Sequence, residues 1–190
     1  MRKVISFLHI SLDGFVAGPN GELDWASVDQ SLFEYVGKRI SKGDTAIYGR
    51  ATYDLMESYW PSAADQPNAT QHTIEHSKWY KNVRKIVLST SAKDNPANNT
   101  TVVNNHLSDQ INLLKKEPGE EILIFGSPTA TQSLMKQGLV DGFWLFLNPV
   151  ILGKGKRLFE EDGPFLRLKQ VSVSPIPSGV IELNYLVERI

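Results

Sequence analysis

Apolar positions along the chain fall into two rhythms. Residues 4–10 form a dense apolar run with β-branched members, which predicts a strand buried on both faces. Shorter runs of the same kind recur at 45–48, 85–88, 101–103, 121–125 and 143–147. Between them, apolar residues return at helical spacing. Leu32, Phe33, Val36 and Ile40 share one face ahead of a stop at Gly43, and a brief helix is expected over 72–80. Ile111 and Leu114 point inward from a helix over 108–116, whose last turn carries Lys115 and Lys116 and which Pro118-Gly119 ends. The strongest boundary signals belong to the helix after 121–125: Ser127 as N-cap, Pro128 at the first helical position and Gly138 just past the end.

A short helix is expected after Gly49-Arg50, and the polar, proline-punctuated stretch 60–71 reads as a surface excursion. The tail alternates around Leu166, Leu168, Val171 and Val173, then Val180, Ile181, Leu183, Tyr185 and Val187. Pro175, Pro177 and Gly179 lie between, which makes it an antiparallel pair. Strand–helix units closed by a hairpin predict one α/β domain over 1–190: a mostly parallel central sheet, helices on both faces, antiparallel strands at one edge.

Composition removes several function classes. A net charge of -1 with scattered basic residues gives no reason to expect nucleic acid or an anionic membrane as partner. Cysteine is absent, which excludes disulfides and thiolate chemistry and suits a reducing compartment. The N-terminus is too short and polar in its apolar run for a secretory signal, so a cytoplasmic location is expected. The sequons at Asn68, Asn98 and Asn99 then read as polar loops.

Three strand ends carry donor-rich chemistry of the kind that gathers ligands in open α/β sheets. Gly49-Arg50-Ala51-Thr52 offers close backbone approach, a helix start and a cation for phosphate. Leu88-Ser89-Thr90-Ser91 adds hydroxyls, with Lys93 behind, and Phe125-Gly126-Ser127-Pro128-Thr129 adds a capped helix N-terminus. Together they point to a dinucleotide. No G-x-G-x-x-G or Walker sequence occurs, so neither a standard Rossmann site nor a P-loop is indicated.

Other segments carry a resemblance in the expected order: Ser11-Leu12-Asp13-Gly14 with Gly18, Leu23-Asp24-Trp25, Tyr48-Gly49-Arg50-Ala51-Thr52-Tyr53, Tyr59-Trp60-Pro61, Phe125-Gly126-Ser127, Gly138-Leu139-Val140-Asp141 and Asn148-Pro149-Val150-Ile151-Leu152-Gly153-Lys154-Gly155. Over essentially its whole length the chain resembles the dihydrofolate-reductase-like family typified by the reductase domain of the bifunctional riboflavin-biosynthesis deaminase–reductase, the RibD C-terminal domain. The resemblance implies the three-layer dihydrofolate-reductase-like fold and an NADPH site. Gly49, Arg50 and Thr52 would hold the pyrophosphate and 2′-phosphate region, Ser89, Thr90 and Ser91 the adenosine end, and Gly126, Ser127 and Thr129 the pyrophosphate. His9 and Val16, on the loop after the first strand, would contact the nicotinamide end. Asp13, Trp25 and Gln30 would meet the substrate, with Asp13 as the catalytic acidic group; an Asp-Gly turn that binds its own backbone is the other reading of Asp13. No metal is implied, and a homodimer, paired through the apolar hairpin, is.

Two departures bear on the substrate. Gln30, beside Asp29, stands where folate-reducing members carry an acid, so dihydrofolate is disfavoured. Gly142 follows Val140-Asp141 where many relatives have Glu, which also weakens the riboflavin-pathway substrate. The expectation is an NADPH-dependent reductase of a small heterocyclic or ribosylaminopyrimidine-type substrate; an idle NADP(H)-binding protein is the rival.

Two features stand apart. His72-Thr73-Ile74-Glu75-His76 fits H-x-x-E-H, a zinc-peptidase pattern, but no third ligand is nominated, and chance or a solvated helix face is the preferred reading. Trp60, Trp79 and Trp144 read as core or loop anchors, and Lys154 and Lys156 as a solvated loop.

Overall fold

A computed structural model describes residues 1–189. Its centre is β1 (Val4–Ser11), hydrogen-bonded in parallel to β6 (Ile122–Phe125) on one side and β7 (Gly142–Asn148) on the other. Beyond β6 lie β3 (Thr45–Gly49), β4 (Arg84–Leu88) and β5 (Thr100–Val103), all parallel. Beyond β7 the hairpin of β10 (Ile181–Val187) and β9 (Leu168–Pro175) runs antiparallel, which gives the order β5-β4-β3-β6-β1-β7-β10-β9. The expected architecture is therefore the observed one. Outside this sheet, β2 (Phe15–Ala17) pairs with β8 (Lys156–Arg157), a contact that patterning did not predict because each partner is too short to show a period.

Period-two alternation divides the strands between two cores. Val4, Leu8, Ile10, Ile47, Ile122, Ile124, Phe143 and Leu145 face one side. There they meet α4 (Leu107–Lys116) through Ile111 and Leu114, and α5 (Pro128–Lys136) through Ala130, Leu134 and Met135. Ile5, Ala46, Tyr48, Leu123, Phe125, Trp144 and Phe146 face the other. They pack on α1 (Gln30–Ile40) through Leu32, Val36 and Ile40, and on α3 (Gln71–Asn82) through Tyr80. Ser127 caps α5 by accepting from Ala130 N, as the sequence predicts, and Asp29, not singled out as a cap, does the same for α1 by accepting from Leu32 N. Among the described residues no helix is long and apolar enough to cross a membrane.

One segment differs from its expectation. The helix after Gly49, α2 (Arg50–Ala63), runs for 14 residues and takes in Trp60 and Pro61, which patterning assigns to an excursion. Proline disfavours helix at the residue before it. Here it falls in the final turn, where one missing N–H costs little, while Ser77 Oγ donates to the Trp60 carbonyl at 2.8 Å and Ala63 is fully buried. Tertiary packing overrides the local signal.

Gly142 also takes on a different meaning. It opens β7, at the end of the sheet opposite the strand carboxyl termini, so its lack of a carboxylate removes nothing from a ligand site there. A Cβ at this position would lie 2.5 Å from the Tyr185 carbonyl and 2.9 Å from Ile5 Cδ1. Only glycine lets β10 and β1 approach so closely. The neighbouring Asp141 binds Lys115 and Arg189 at 2.5 Å each and accepts from Val4 N at 2.8 Å, a structural junction. We expect Gly142→Ala to destabilise the protein by about 1–3 kcal/mol in urea unfolding. A change within error would show that the strands can part at no cost.

Candidate functional site

The carboxyl ends of β3, β4, β5 and β6 open on a polar cleft of about 780 Å³. Two helices begin here. Gly49 precedes α2 and Ser127 caps α5, and they touch: a Cβ on Gly49 would sit 2.3 Å from Ser127 Oγ. Glycine at 49 is thus what brings two helix N-termini, each with free N–H groups and a partial positive charge, to one place. Gly126, with φ of 55°, makes the turn between β6 and α5 and packs within van der Waals reach of Thr52. This is the geometry in which backbone amides receive phosphate.

Around that point the cleft assembles the residues predicted from separate parts of the sequence: Gly49 and Arg50, Ser89 to Ser91, Ser127 and Thr129. Ser89 Oγ accepts from the backbone N–H of Ser91 and Ala92, so the β4 loop holds its own shape. Arg50 lies exposed and pairs with Asp54 one turn along α2. Such surface pairs contribute only about 0–1 kcal/mol, so the guanidinium can turn to a bound phosphate at little expense. Lys93 is exposed and does not line the cleft. The opposite wall, from Asn104 to Asp109 at the start of α4, was not anticipated, since nothing in its sequence distinguishes it from an ordinary polar loop.

On the other side of the α2 start and the 125–127 turn lies a second cavity, of about 360 Å³ and different character. Thr52 and Gly126 line it, as do His9 and Val16. Apart from His72 and His76 of α3, the rest of its wall is apolar: Phe7 and Phe125 from the sheet, Leu32, Phe33 and Val36 from α1, Leu55, Met56 and Trp60 from α2, and Leu23, Ala26 and Val28 from the connection ahead of α1. Cleft and cavity are thus neighbouring chambers, lined by successive residues at 51–52 and 126–127.

The three residues expected to meet a substrate are not on the cavity wall. Gln30 points away, donating to Glu34 at 3.0 Å over a neighbouring cavity between α1 and α3. Trp25 is half-buried and donates through Nε1 to the Glu22 carbonyl. Asp13 is the more consequential case. Its carboxylate accepts from Ser11 Oγ at 2.7 Å, Gly153 N at 2.7 Å and Leu152 N at 3.1 Å. The Ser11 hydroxyl first, and then the two amides, hold it down to about 2. A carboxylate so occupied fastens the 150–153 segment to the loop after β1. The Asp-Gly turn reading foresaw the backbone bonding but not its distant partners.

His9 is the polar group that does reach the cavity. Its Nδ1 lies 3.1 Å from Asn148 Nδ2. The orientation of that amide is unambiguous, because Oδ1 accepts from Ser27 N at 2.8 Å while Nδ2 also donates to the Phe146 carbonyl at 2.9 Å. Nδ1 must therefore accept, and the imidazole proton resides on Nε2. Burial drives the ring's pKa down to about 4, so His9 is neutral near pH 7. Sequence reasoning listed His9 but had no means to find Asn148, 139 residues away.

The H-x-x-E-H segment forms part of α3, and its histidines serve as wall. His72 stacks on Phe33 at 4.6 Å, His76 packs against Trp60 at 4.1 Å and Trp79 at 5.0 Å, and both line the apolar cavity. Glu75 instead accepts from Gln71 on the helix surface. Among the described residues no three His, Asp or Glu side chains converge as a metal site would need.

Comparison with known proteins agrees with this architecture. The sequence profile of the RibD C-terminal domain matches residues 2–181. The chain is 33% identical to uncharacterized protein YyaP of Bacillus subtilis (strain 168), over 97% of this chain and 94% of that one. In structure it is similar to a putative riboflavin biosynthesis protein of Shewanella sp. PV-4, with a TM-score of 0.72, 24% identity, and 98% and 99% of the two chains covered. It is also similar to the diaminohydroxyphosphoribosylaminopyrimidine deaminase/5-amino-6-(5-phosphoribosylamino)uracil reductase of Thermotoga maritima. There the TM-score is 0.66 at 16% identity, with 98% of this chain but 57% of that larger one aligned. At these identities the two structures speak for the fold.

The state of His9 is open to measurement. The unfolded chain takes up a proton near 6.5 that the folded His9 refuses until about 4, so its contribution to stability is full above pH 6.5 and is lost as pH falls towards 4. Nitrogen-15 spectra should show Nδ1 unprotonated and Nε2 protonated at pH 5.5. A ring that titrates near 6.5, or carries its proton on Nδ1, would contradict the Asn148 assignment.

Proposed function

This chain belongs to the RibD C-terminal domain family, and from that premise we propose that it is an NADPH-dependent reductase of a small ring substrate, of the heterocyclic or ribosylaminopyrimidine type. The observation that carries the proposal is the convergence of two helix N-termini, at Gly49 and Ser127, on a hydroxyl-lined cleft beside an apolar cavity, the two lined by successive residues at 51–52 and 126–127. A dinucleotide has the same division: charged phosphates in the middle, a base and a planar nicotinamide at the ends.

The donor set fits such a ligand. In this reading Gly49, Ser127 and Thr129 would hold the pyrophosphate through backbone and hydroxyl donors, Arg50 a phosphate by paired charge-assisted bonds, and Ser89, Thr90 and Ser91 the adenosine end. Thr52, Gly126, His9 and Val16 would border the nicotinamide. When bound, the cofactor supplies a hydride. The chain's own work is to orient both partners and keep water from the apolar cavity. The proposal extends to a homodimer, supported by the exposed apolar residues Leu168, Val171 and Val173 along the edge strand β9. It extends equally to the cytoplasm, with which the absence of cysteine accords.

Thermal shift provides the test. At a hundredfold excess over Kd, NADPH should add about 2.7 kcal/mol, a rise in Tm of about 5–10 °C for a chain of this size. Failure of both NADPH and NADH to raise Tm would overturn the cofactor reading. Stabilisation without oxidation of the cofactor across carbonyl, pterin and ribosylaminopyrimidine compounds would favour an idle binding protein. Arg50→Gln should weaken NADPH by about 1.5–3 kcal/mol, roughly ten- to a hundredfold, with NADH changed far less. Equal losses would place Arg50 on the pyrophosphate, and no loss would remove it from the site.

A further inference from the structure

The apolar cavity can be read for what it admits. Its polar wall groups are Thr52, His9, His72 and His76; no Asp, Glu, Lys or Arg lines it. The nearby charges are engaged elsewhere. Glu34, Lys38 and Glu75 line the separate cavity behind the His72–His76 wall. Arg157 lies over the Phe15 ring at 4.4 Å, on the β2–β8 ribbon. A phosphate or carboxylate brought into this chamber would lose its hydration and find no counter-charge, a cost of several kcal/mol.

Against this apolar wall stands one directed donor. Asn148 holds Nδ1 of His9 as an acceptor, which leaves Nε2–H as the ring's remaining hydrogen-bonding group, with no partner in the protein. A neutral imidazole in this tautomer donates and cannot accept, so it selects an acceptor. His76, packed between two tryptophans with Nε2 buried and unpartnered, adds no charge, because burial above all holds its pKa down to about 3.

We propose that the cavity receives an uncharged, largely apolar ring compound whose carbonyl oxygen or imine nitrogen accepts a hydrogen bond from His9 Nε2–H, and that it refuses phosphorylated and carboxylated substrates. This rests on the reading of the cavity as the substrate end of a reductase, and it narrows that reading away from phosphoribosyl compounds. A volume of about 360 Å³ lies at the lower end of ligand pockets and suits one fused ring pair. The directed donor would set which atom of the ring system faces β1.

Calorimetric titration of the full chain, without cofactor, separates the terms with three matched probes: 1-indanone, indane, and 1-indanone carrying a ring carboxylate. The ketone should bind about three- to tenfold more tightly than the hydrocarbon, the span of one neutral hydrogen bond. The carboxylate should bind at least about a hundredfold more weakly than the ketone, the scale of an unpaired charge. His9→Phe should bring ketone and hydrocarbon together. Should that variant fail to fold, the nitrogen-15-coupled Nε2 proton of the unsubstituted protein supplies the same information, since 1-indanone should shift it and indane should not. Leu55→Arg, at an exposed helix position on the cavity wall, should raise the affinity of the carboxylate at least about tenfold by supplying the missing charge. Tighter binding of the carboxylate than the ketone, equal binding of ketone and hydrocarbon, or no binding of any probe would each overturn the proposal. The NADPH thermal shift is independent of these arms, so failure of the substrate class and failure of the cofactor reading are distinguishable.

Discussion

Burial of β1 on both faces, between two parallel neighbours, is the constraint on which the rest of the molecule depends. A strand hydrogen-bonded along both edges must satisfy its backbone there, and its side chains must then divide strictly between two cores. Val4, Leu8 and Ile10 enter one and Ile5 the other, flanked by Phe7. Even the serine obeys the pattern: Ser6 Oγ meets Thr131 Oγ1 at 2.9 Å, so that its polar group is paired inside the core. The odd-numbered series ends at His9, where the layer beneath α1 and α2 opens and the cavity begins. The imidazole donor of the cavity is thus the next position of a core-forming alternation, carried one step past the core.

The same constraint explains why two chambers of opposite polarity adjoin. Where β3 and β6 end, the chain must turn into helices, and each helix start exposes unpaired N–H groups that favour an anion. Where β1 and α1 bound the space, the surfaces are faces of elements whose apolar residues had to point inward in any case. Asn148, at the end of β7, links them: a single amide saturates Ser27, Phe146 and His9 and thereby draws the connection ahead of α1 against the sheet. Asp13 does the equivalent for the 150–153 segment. Both polar side chains look catalytic in isolation, yet each is needed where backbone amides of a loop would otherwise lack partners.

The fold was legible because its signals are local and repeated. The run at 4–10, the Ser127-Pro128 cap and the alternating tail each predict an element, and their order predicts the sheet. The junctions at 49–52 and 125–129 were legible for the same reason, since a strand, a glycine and a helix start lie within five residues. The substrate side was not. Its wall draws on six elements and on side chains, such as Phe33 and Leu55, that read as ordinary amphipathic positions. Gln30 falls one residue from the capping Asp29 and so turns to the outer face of α1, while Leu32 and Phe33 turn inward, a rotation that counting from Trp25 could not supply. The H-x-x-E-H spacing was equally mute: two histidines one turn apart serve a metal or a stacked wall, and only Phe33, Trp60 and Trp79 decide between them.

That asymmetry has a physical root with a bearing on how such a protein changes function. The cleft is made by backbone: helix starts, a positive-φ glycine and a contact between Gly49 and Ser127 that tolerates no added atom. A substitution that kept the fold would keep most of this cleft, so the proposed dinucleotide site is bound up with stability itself. The apolar cavity is made by side chains from α1, α2, α3 and the connection ahead of α1, several of them partly exposed and free to vary in size at a cost below that of a core position. Its selectivity for charge therefore turns on very few positions. A single lysine or arginine at Leu55 would reverse it, whereas the convergence of the two helices could be disturbed only by a change such as Gly49→Ala that also strains the fold. The cofactor end is set by the architecture, and the substrate end by the side chains that happen to cover it.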